Sequence, residues 1–95
     1  MNGAELIALE RSRQIRIEGY DAKHDQSLDD HALEEAAMAY IHSSIGEKKE
    51  AIKCWPWLLP FLKPRTRVRD LVRAGALIAA AIDKIQNKGE HENNR

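Results

Sequence analysis

The arrangement in this chain best suited to chemistry is a group of basic residues that directly follows a group of aromatic ones. The aromatic residues are Trp55, Trp57 and Phe61, and the basic residues are Lys63, Arg65, Arg67, Arg69 and Arg73. The basic residues lead into a predicted helix, whose N-terminus offers free N–H groups and partial positive charge to a phosphate. Aromatic rings can stack on a nucleotide base. The pattern therefore predicts a nucleotide site.

The charge distribution offers a second interpretation of the same arginines. Residues 1–50 contain 11 acidic and 6 basic side chains, residues 51–95 contain 4 acidic and 9 basic, and the whole chain has zero net charge. The arginines would then pair with acidic residues of the first half, or the chain would pair head to tail with a copy of itself. Because a neutral protein lacks a broad basic surface, we expect no duplex nucleic acid as a partner.

Acidic residues and histidines before and within the second predicted helix form a candidate metal site. They are His24, Asp25, Asp29, Asp30, His31, Glu34 and Glu35. His31 lies three and four residues before Glu34 and Glu35, a spacing that places side chains on one helical face. Helix capping and the helix dipole explain the same acids. We therefore predict no metal and no cofactor.

Covalent catalysis has little support in the sequence. The single cysteine, Cys54, lies beside Trp55 and has no histidine near it in sequence. The chain contains no glycine-rich phosphate loop, no CxxC pair and no Gly-x-Ser-x-Gly turn. We predict no catalytic residue.

The helix that must position the basic group is predicted at residues 65–84, with Thr66 as its cap. Apolar and small residues recur there at the three- and four-residue steps of one buried face. They are Val68, Leu71, Val72, Gly75, Ile78, Ala79, Ile82 and Ile85. Further small residues allow a neighbouring helix or a flat ligand to approach closely, namely Ala74, Ala76, Ala80 and Ala81.

A first helix is predicted from Asn2 or Gly3 to about Glu18. Its pattern is unusual, because polar residues border or enter the face formed by Leu6, Leu9, Arg13 and Ile17. One interpretation is a solvated helix with ion pairs such as that between Glu10 and Arg13. The other is a helix whose polar residues line a cavity, namely Glu10, Arg11, Gln14 and Glu18.

A second helix is predicted from about Leu28, after a capping box of Ser27 and Asp30, to a stop at Gly46. Its expected apolar face is formed by Leu33, Ala36, Ala37, Tyr40, Ile41 and Ser44. Residues 47–53 are expected to be a charged continuation or loop. Residues 54–64, CWPWLLPFLKP, carry three prolines that exclude a regular helix interior or a central strand. The favoured role of this loop is a hydrophobic lid over the helices, and a subunit interface or a ligand contact are the alternatives.

These elements predict an all-α protein, a three-helix unit with a Pro/Trp-rich loop before the long C-terminal helix. Residues 1–86 are expected to form one helical domain and residues 87–95 a polar tail. A chain of 95 residues buries only about 60–65% of its unfolded surface, which favours a homo-oligomer, a dimer or higher. No apolar run approaches the roughly 20 residues of a membrane span, and no signal-peptide pattern is visible. We expect a cytoplasmic protein with no membrane partner.

Six stretches of the chain form a specific combination: ERSRQIRIEGY (residues 10–20), HD (24–25), LEEAAMAY (33–40), WPW (55–57), KP (63–64) and RDLVRAGALIAAAID (69–83). The combination resembles a family of small proteins encoded by tailed phages and prophages. The resemblance spans nearly the whole chain and implies a phage origin, a helical fold and the host-cell cytoplasm. That family would be expected to carry an acid near Ala81, and its absence argues against catalysis at that position.

The acidic helices are also loosely similar to the all-α NTP pyrophosphohydrolases (MazG-like), which hold magnesium with paired acids on two helices. Glu34 and Glu35 match part of the first pair, whereas the long helix offers only Asp70 and Asp83, which are too far apart to share a metal. The similarity implies a relative of that fold that binds a ligand rather than an active enzyme.

We expect a phage-type protein that sequesters a nucleotide, such as a cyclic or ADP-ribose-type immune signal, without catalysis and thereby counters host defence. The expected contacts are Arg11, Lys63, Arg69 and Arg73 to phosphate, Tyr20, Trp55 or Trp57 to the base, and Gln14, His24 or Asp25 to base or ribose edges. One alternative is a magnesium-dependent pyrophosphohydrolase that uses Glu34, Glu35 and Asp70. The other is an inhibitor that blocks a host defence protein through its WPW loop.

Overall fold

The computed structural model describes residues 1–17 and 31–93, with side chains up to residue 87. The regular elements of these residues are four α-helices and one 3-10 turn, and the described part contains no strand. They are α1 (Gly3–Ile17), α2 (Ala32–Ser44), α3 (Lys48–Cys54), the 3-10 turn (Leu59–Phe61) and α4 (Arg67–Asn93). The predicted all-α class is confirmed. Helix α3 occupies the segment expected to be a charged continuation or loop.

Helix α1 begins at a reciprocal cap formed by Asn2 and Glu5. Oδ1 of Asn2 accepts a 2.9 Å hydrogen bond from the backbone N–H of Glu5, and Oε1 of Glu5 accepts one of 2.9 Å from the backbone N–H of Asn2. This arrangement satisfies backbone donors that have no partner inside the helix. The predicted start of the first helix is confirmed.

Gly46 terminates helix α2 two residues after Ser44, as the sequence predicts. Gly46 has a φ of 81°, a conformation that glycine adopts without the steric cost of a side chain. Its N–H donates to the carbonyl of Ser43 over 3.1 Å, and the N–H of Glu47 donates to the carbonyl of His42 over 2.9 Å. The pair of bonds is the Schellman pattern of a helix C-terminus. The helix starts at Ala32, later than expected, and its predicted capping box lies outside the described residues.

Helix α4 is the scaffold of the molecule. Oγ1 of Thr66 accepts a 3.2 Å hydrogen bond from the N–H of Arg69, which confirms the predicted cap. The helix contains 27 residues and continues past the predicted end at residue 84 to Asn93. At 1.5 Å per residue it is about 40 Å long, which matches the 41 Å longest dimension of the molecule. Helices α1 and α2 both pack against it, and α3 packs against α2.

The interior between the helices is built mainly from alanine. The buried alanines are Ala32, Ala36, Ala37, Ala39, Ala51, Ala74, Ala76, Ala80 and Ala81. Larger buried apolar side chains come from Leu33, Tyr40, Val72 and Leu77. The expected apolar face of α2 is therefore confirmed, except that Ile41 is exposed. Small side chains let the helix backbones approach each other closely, and a Cβ at Gly75 would collide with the side chain of Ile7 on α1.

The predicted buried face of α4 is wrong in its large residues. Val68, Leu71, Ile78, Ile82 and Ile85 are all exposed, and Val72 is the only large aliphatic residue of that set in the interior. Helix α4 instead turns Ala74, Leu77 and Ala81 inward. Both stripes have the helical period, so periodicity alone cannot distinguish them. The alanine stripe faces the other helices because it permits closer packing of their backbones.

The proline-punctuated loop is partly a lid. Trp55 and Trp57 are half-buried and pack against the core cluster, which confirms the predicted lid for both tryptophans. Their rings meet edge to face at 5.1 Å, and Trp55 meets Tyr40 in the same way at 5.7 Å. Phe61 does not join them, since 62% of its surface is exposed. None of the helices described is both long enough and apolar enough to cross a membrane.

Candidate functional site

Helix α1 turns its polar side chains inward. Glu10, Arg11 and Gln14 are buried, with 3%, 8% and 4% of their surfaces exposed, whereas Leu9 and Ile17 are exposed. Ile7 packs over Gly75, and residues three, four and seven positions after Ile7 necessarily share its face. The expected apolar face is wrong for Leu9 and Ile17. The inward polar residues are those proposed to line a cavity, apart from Glu18, which lies outside the described residues.

Glu10 joins two arginines at the interface between α1 and α4. Arg13 donates from Nε to Oε1 over 3.0 Å and from Nη2 to Oε2 over 2.7 Å, and Arg69 donates from Nη2 to Oε1 over 2.6 Å. Burial alone raises the pKa of Glu10, but hydrogen bonds and positive charge from both arginines outweigh it and lower that pKa from 4.5 to about 2. The pair with Arg13 was expected on a solvated helix, and it is instead built on a buried carboxylate.

Arg11 also contacts α4 through a carboxylate. Its Nε and Nη2 both donate to Oδ2 of Asp83 over 3.2 Å. The guanidinium side chain is 10% exposed and that of Asp83 is 45% exposed. The position expected to hold a ligand phosphate therefore contacts a carboxylate of the protein itself.

Arg73 is a cation that contacts a neutral group. Its Nη1 donates to the hydroxyl of Tyr40 over 3.1 Å, and its guanidinium carbon lies 5.7 Å from the centre of the Tyr40 ring. Its Nε is buried and finds no hydrogen-bond partner among the residues that the structure describes. No carboxylate of the described residues forms an ion pair with Arg73. A guanidinium in this position is neutralised less completely than Arg11 or Arg69.

A second buried polar atom without a partner lies on α1. Oε1 of Gln14 accepts no hydrogen bond from any part of the chain that the structure describes. Buried polar atoms are nearly always paired in native proteins. Gln14 on α1 thus has an unfilled acceptor, and Arg73 on α4, which contacts Tyr40 of α2, has an unfilled donor.

The structure brings some of the predicted site residues together. Arg11, Gln14 and Arg69 lie at the interface of α1 and α4, and Arg73 reaches the hydroxyl of Tyr40 on α2. The side chain of Lys63 is exposed, but its backbone N–H donates to the same hydroxyl over 3.1 Å. Trp55 is linked to Arg73 only through the Tyr40 ring between them. The predicted contacts Tyr20, His24 and Asp25 lie outside the described residues.

Tyr40 and Glu10 are the functional candidates that sequence reasoning undervalued. The sequence pattern places Tyr40 on the apolar face of its helix, whereas in the structure its hydroxyl also accepts two hydrogen bonds. A tyrosine among alanines was the available signal, because a buried hydroxyl needs a polar partner. The sequence offers Glu10 as a cavity residue in one of two interpretations, but its bond to Arg69, 59 residues away, has no local signal.

The acids of the pyrophosphohydrolase alternative are not assembled into one site. Asp70 is buried and accepts hydrogen bonds from Oγ of Ser43 over 3.0 Å and from the N–H of Arg65 over 2.8 Å. Glu34 and Glu35 lie in the first turn of α2, about 13 Å along the helix from Ser43. Over residues 1–17 and 31–93, no group of three or more His, Cys, Asp or Glu side chains could hold a metal ion.

The chain matches no known family model, no curated protein and no solved structure.

Proposed function

We propose that the protein binds a phosphate-bearing nucleotide along α4, at Arg69 beside α1 and Arg73 beside α2, and holds it without converting it. The observation that carries this proposal is Arg73, whose half-buried guanidinium contacts a tyrosine instead of a carboxylate and has an unpartnered Nε. Removing a cation from water without a counter-ion is costly. A phosphate oxygen supplies both the missing charge and the missing acceptor.

Arg69 supplies the second cation of the proposed site. It lies one helical turn before Arg73, so the two side chains lie on one side of α4. Its side chain is 40% exposed, and it shares the carboxylate of Glu10 with Arg13. A guanidinium that shares one carboxylate keeps donors and charge for a ligand, while Glu10 fixes its position. Gln14 offers an amide to a base or ribose edge from the facing helix.

Two observations on the side chains near Arg69 and Arg73 favour sequestration over conversion. The carboxylate of Asp70 already accepts two hydrogen bonds that join α2 to the start of α4. Arg69 and Arg73 are suited to binding anions, whereas a guanidinium group is not a general base. Together with the resemblance to phage proteins, this favours a small nucleotide signal of bacterial immunity, cyclic or of ADP-ribose type, as the ligand.

The test is to incubate the purified protein with linear and cyclic nucleotides, with and without magnesium, and to analyse the filtrate and the heat-released fraction by chromatography. We expect one nucleotide to be depleted and to return intact on heating. Arg73→Gln should weaken its affinity by at least about tenfold, the scale of a hydrogen bond to a charged group. Arg67→Gln is the matched control, because Arg67 is an exposed arginine in the first turn of the same helix.

Three outcomes would overturn the proposal. If no nucleotide is depleted, the protein does not bind the proposed ligand. Equal losses of affinity in Arg73→Gln and Arg67→Gln would show that the nucleotide is attracted by charge alone. New products that form only with magnesium would instead establish the pyrophosphohydrolase alternative.

A second candidate function, blocking a host protein, is favoured by the tip of the loop. Leu58, Leu59 and Phe61 are 71%, 51% and 62% exposed, whereas Trp57 packs inward. Exposed apolar residues in a cluster are typical of protein contacts. If this function is right, Phe61→Ala should weaken binding to the purified host partner, and nucleotides should have no effect on that binding.

A further inference from the structure

The exposed face of α4 carries most of the large aliphatic side chains of that helix. They form a stripe that we call the α4 seam, defined by Val68, Leu71, Ile78, Ile82 and Ile85. Their exposed fractions are 59%, 43%, 44%, 50% and 62%. With Gly75 included, the steps along the seam alternate between three and four residues over the whole length. This is the repeat of helices that pair along a shared axis.

The distribution of side chains on α4 is the reverse of the usual one, in which large aliphatic residues are buried. The interior holds alanines, while four isoleucines and leucines of α4 lie outside it. Helix α1 packs against α4 at Gly75 and α2 packs against its alanine face, but neither covers the five large side chains of the seam, which stay exposed in the part of the chain that the structure describes. A continuous apolar stripe of this length is unusual on the surface of a monomeric protein.

The charges of α4 indicate what covers the seam. Between Leu71 and Ile82 the exposed side of the helix carries no charged side chain, since its other members there are Gly75 and Ala79. A charged partner would find no complementary charge on this surface. The seam of a second copy is compatible with this surface, because no like charges face each other when two seams meet. The whole chain also has zero net charge, so two copies approach without net repulsion.

We propose that the α4 seam binds the α4 seam of a second copy, with the two helices antiparallel. In a parallel pair, the basic starts of both helices, at Arg65, Arg67 and Arg69, would meet, and the two helix dipoles would repel. The antiparallel pair avoids both contacts and has two-fold symmetry. The seam runs from Val68 to Ile85, so the contact extends over about 26 Å of α4 at 1.5 Å per residue. This inference is independent of the nucleotide site.

The experiment is sedimentation equilibrium of the full chain over a range of concentrations. The wild-type protein should have the mass of a dimer, and the double variant Ile78→Glu/Ile82→Glu should raise the dissociation constant by at least about a hundredfold, because it places four carboxylates in an apolar contact. The matched control is Ile52→Glu, since Ile52 is 49% exposed on α3 and lies away from the seam. The control should remain a dimer. Circular dichroism checks that all variants are folded.

A cross-link keeps the proposal testable if the double variant fails to fold. In a Cys54→Ala background, Ile78→Cys should form a disulfide-linked dimer on mild oxidation, because Ile78 is near the middle of the seam and thus near the two-fold axis. Ile52→Cys should not. A wild-type monomer at every concentration, or a dimer that persists unchanged in a folded Ile78→Glu/Ile82→Glu variant, would overturn the proposal. The Arg73→Gln variant should dimerise normally, so failure here and failure of nucleotide binding are distinguishable.

Discussion

Nη2 of Arg69 donates a 2.6 Å hydrogen bond to Oε1 of Glu10, a residue 59 positions earlier in the chain. The bond joins α1 to the first turn of α4, and the carboxylate that accepts it is 2% exposed. Breaking it would leave a buried charge with one partner fewer. The orientation of α1 on α4 is therefore linked to the ionisation of a single carboxyl group.

That linkage predicts a loss of stability in acid. The pKa of Glu10 is lowered to about 2 in the folded chain from 4.5. The ionised carboxylate stabilises the folded state fully above pH 4.5, and this contribution is lost as the pH falls from about 4.5 to about 2. We expect it to be about 1–3 kcal/mol, since solvent reaches Arg13 and Arg69 and screens part of the interaction.

The measurement is the free energy of unfolding by urea between pH 2 and pH 7, for the wild type and for Glu10→Gln. Other carboxyl groups titrate in both proteins, so their difference isolates Glu10. The wild type should lose more stability than the variant in acid. Parallel pH profiles would contradict the prediction.

The close approach of α1 to α4 at Gly75 predicts that this position requires a residue without a side chain. A Cβ there would lie 2.7 Å from Cγ1 and 3.3 Å from Cγ2 of Ile7. We expect Gly75→Ala to lower the free energy of unfolding by about 1–3 kcal/mol, the usual cost of overpacking, despite the better helix propensity of alanine. Gly3→Ala is the matched control, because nothing lies within 4 Å of its Cβ position. Adding Ile7→Ala to Gly75→Ala should remove much of the clash, and additive losses would argue against it.

The hydroxyl of Tyr40 is predicted to stabilise the positions of both Arg73 and the loop that contains Lys63. It accepts hydrogen bonds from Nη1 of Arg73 and from the N–H of Lys63, both over 3.1 Å. Tyr40→Phe keeps the ring but leaves both donors without this acceptor, and we expect a loss of about 1–3 kcal/mol. A double-mutant cycle with Arg73→Gln measures how much of the lost free energy of unfolding depends on the arginine. A coupling energy near zero would show that Arg73 does not depend on the hydroxyl.

Local signals in the sequence predicted the helix ends well. Asn2, Gly46 and Thr66 each act through backbone groups only a few residues away, so their roles are visible in short stretches. The face of α4 was not predictable in the same way. Apolar residues occur around most of the circumference of α4. Which face is buried depends on α1 and α2, which are distant in sequence.

The candidate site shows the same contrast between local and long-range signals. The residue types and the helix start favoured Arg69 and Arg73, and both lie near buried polar groups. Their partners Glu10 and Tyr40 are 59 and 33 residues away, and no spacing rule relates residues at such separations. The inward orientation of α1 was one of two open interpretations, and only packing against Gly75 decides between them.

An interior made of alanine gives the protein an asymmetric tolerance to mutation. An alanine offers almost no side chain to remove, so the cavities that usually follow truncation of a core residue have few places to form. Most changes at Ala36, Ala76 or Ala80, which are at most 1% exposed, must add atoms where helix backbones already approach closely. In a random mutational scan, the harmful substitutions at the buried alanines should therefore be those that enlarge the residue.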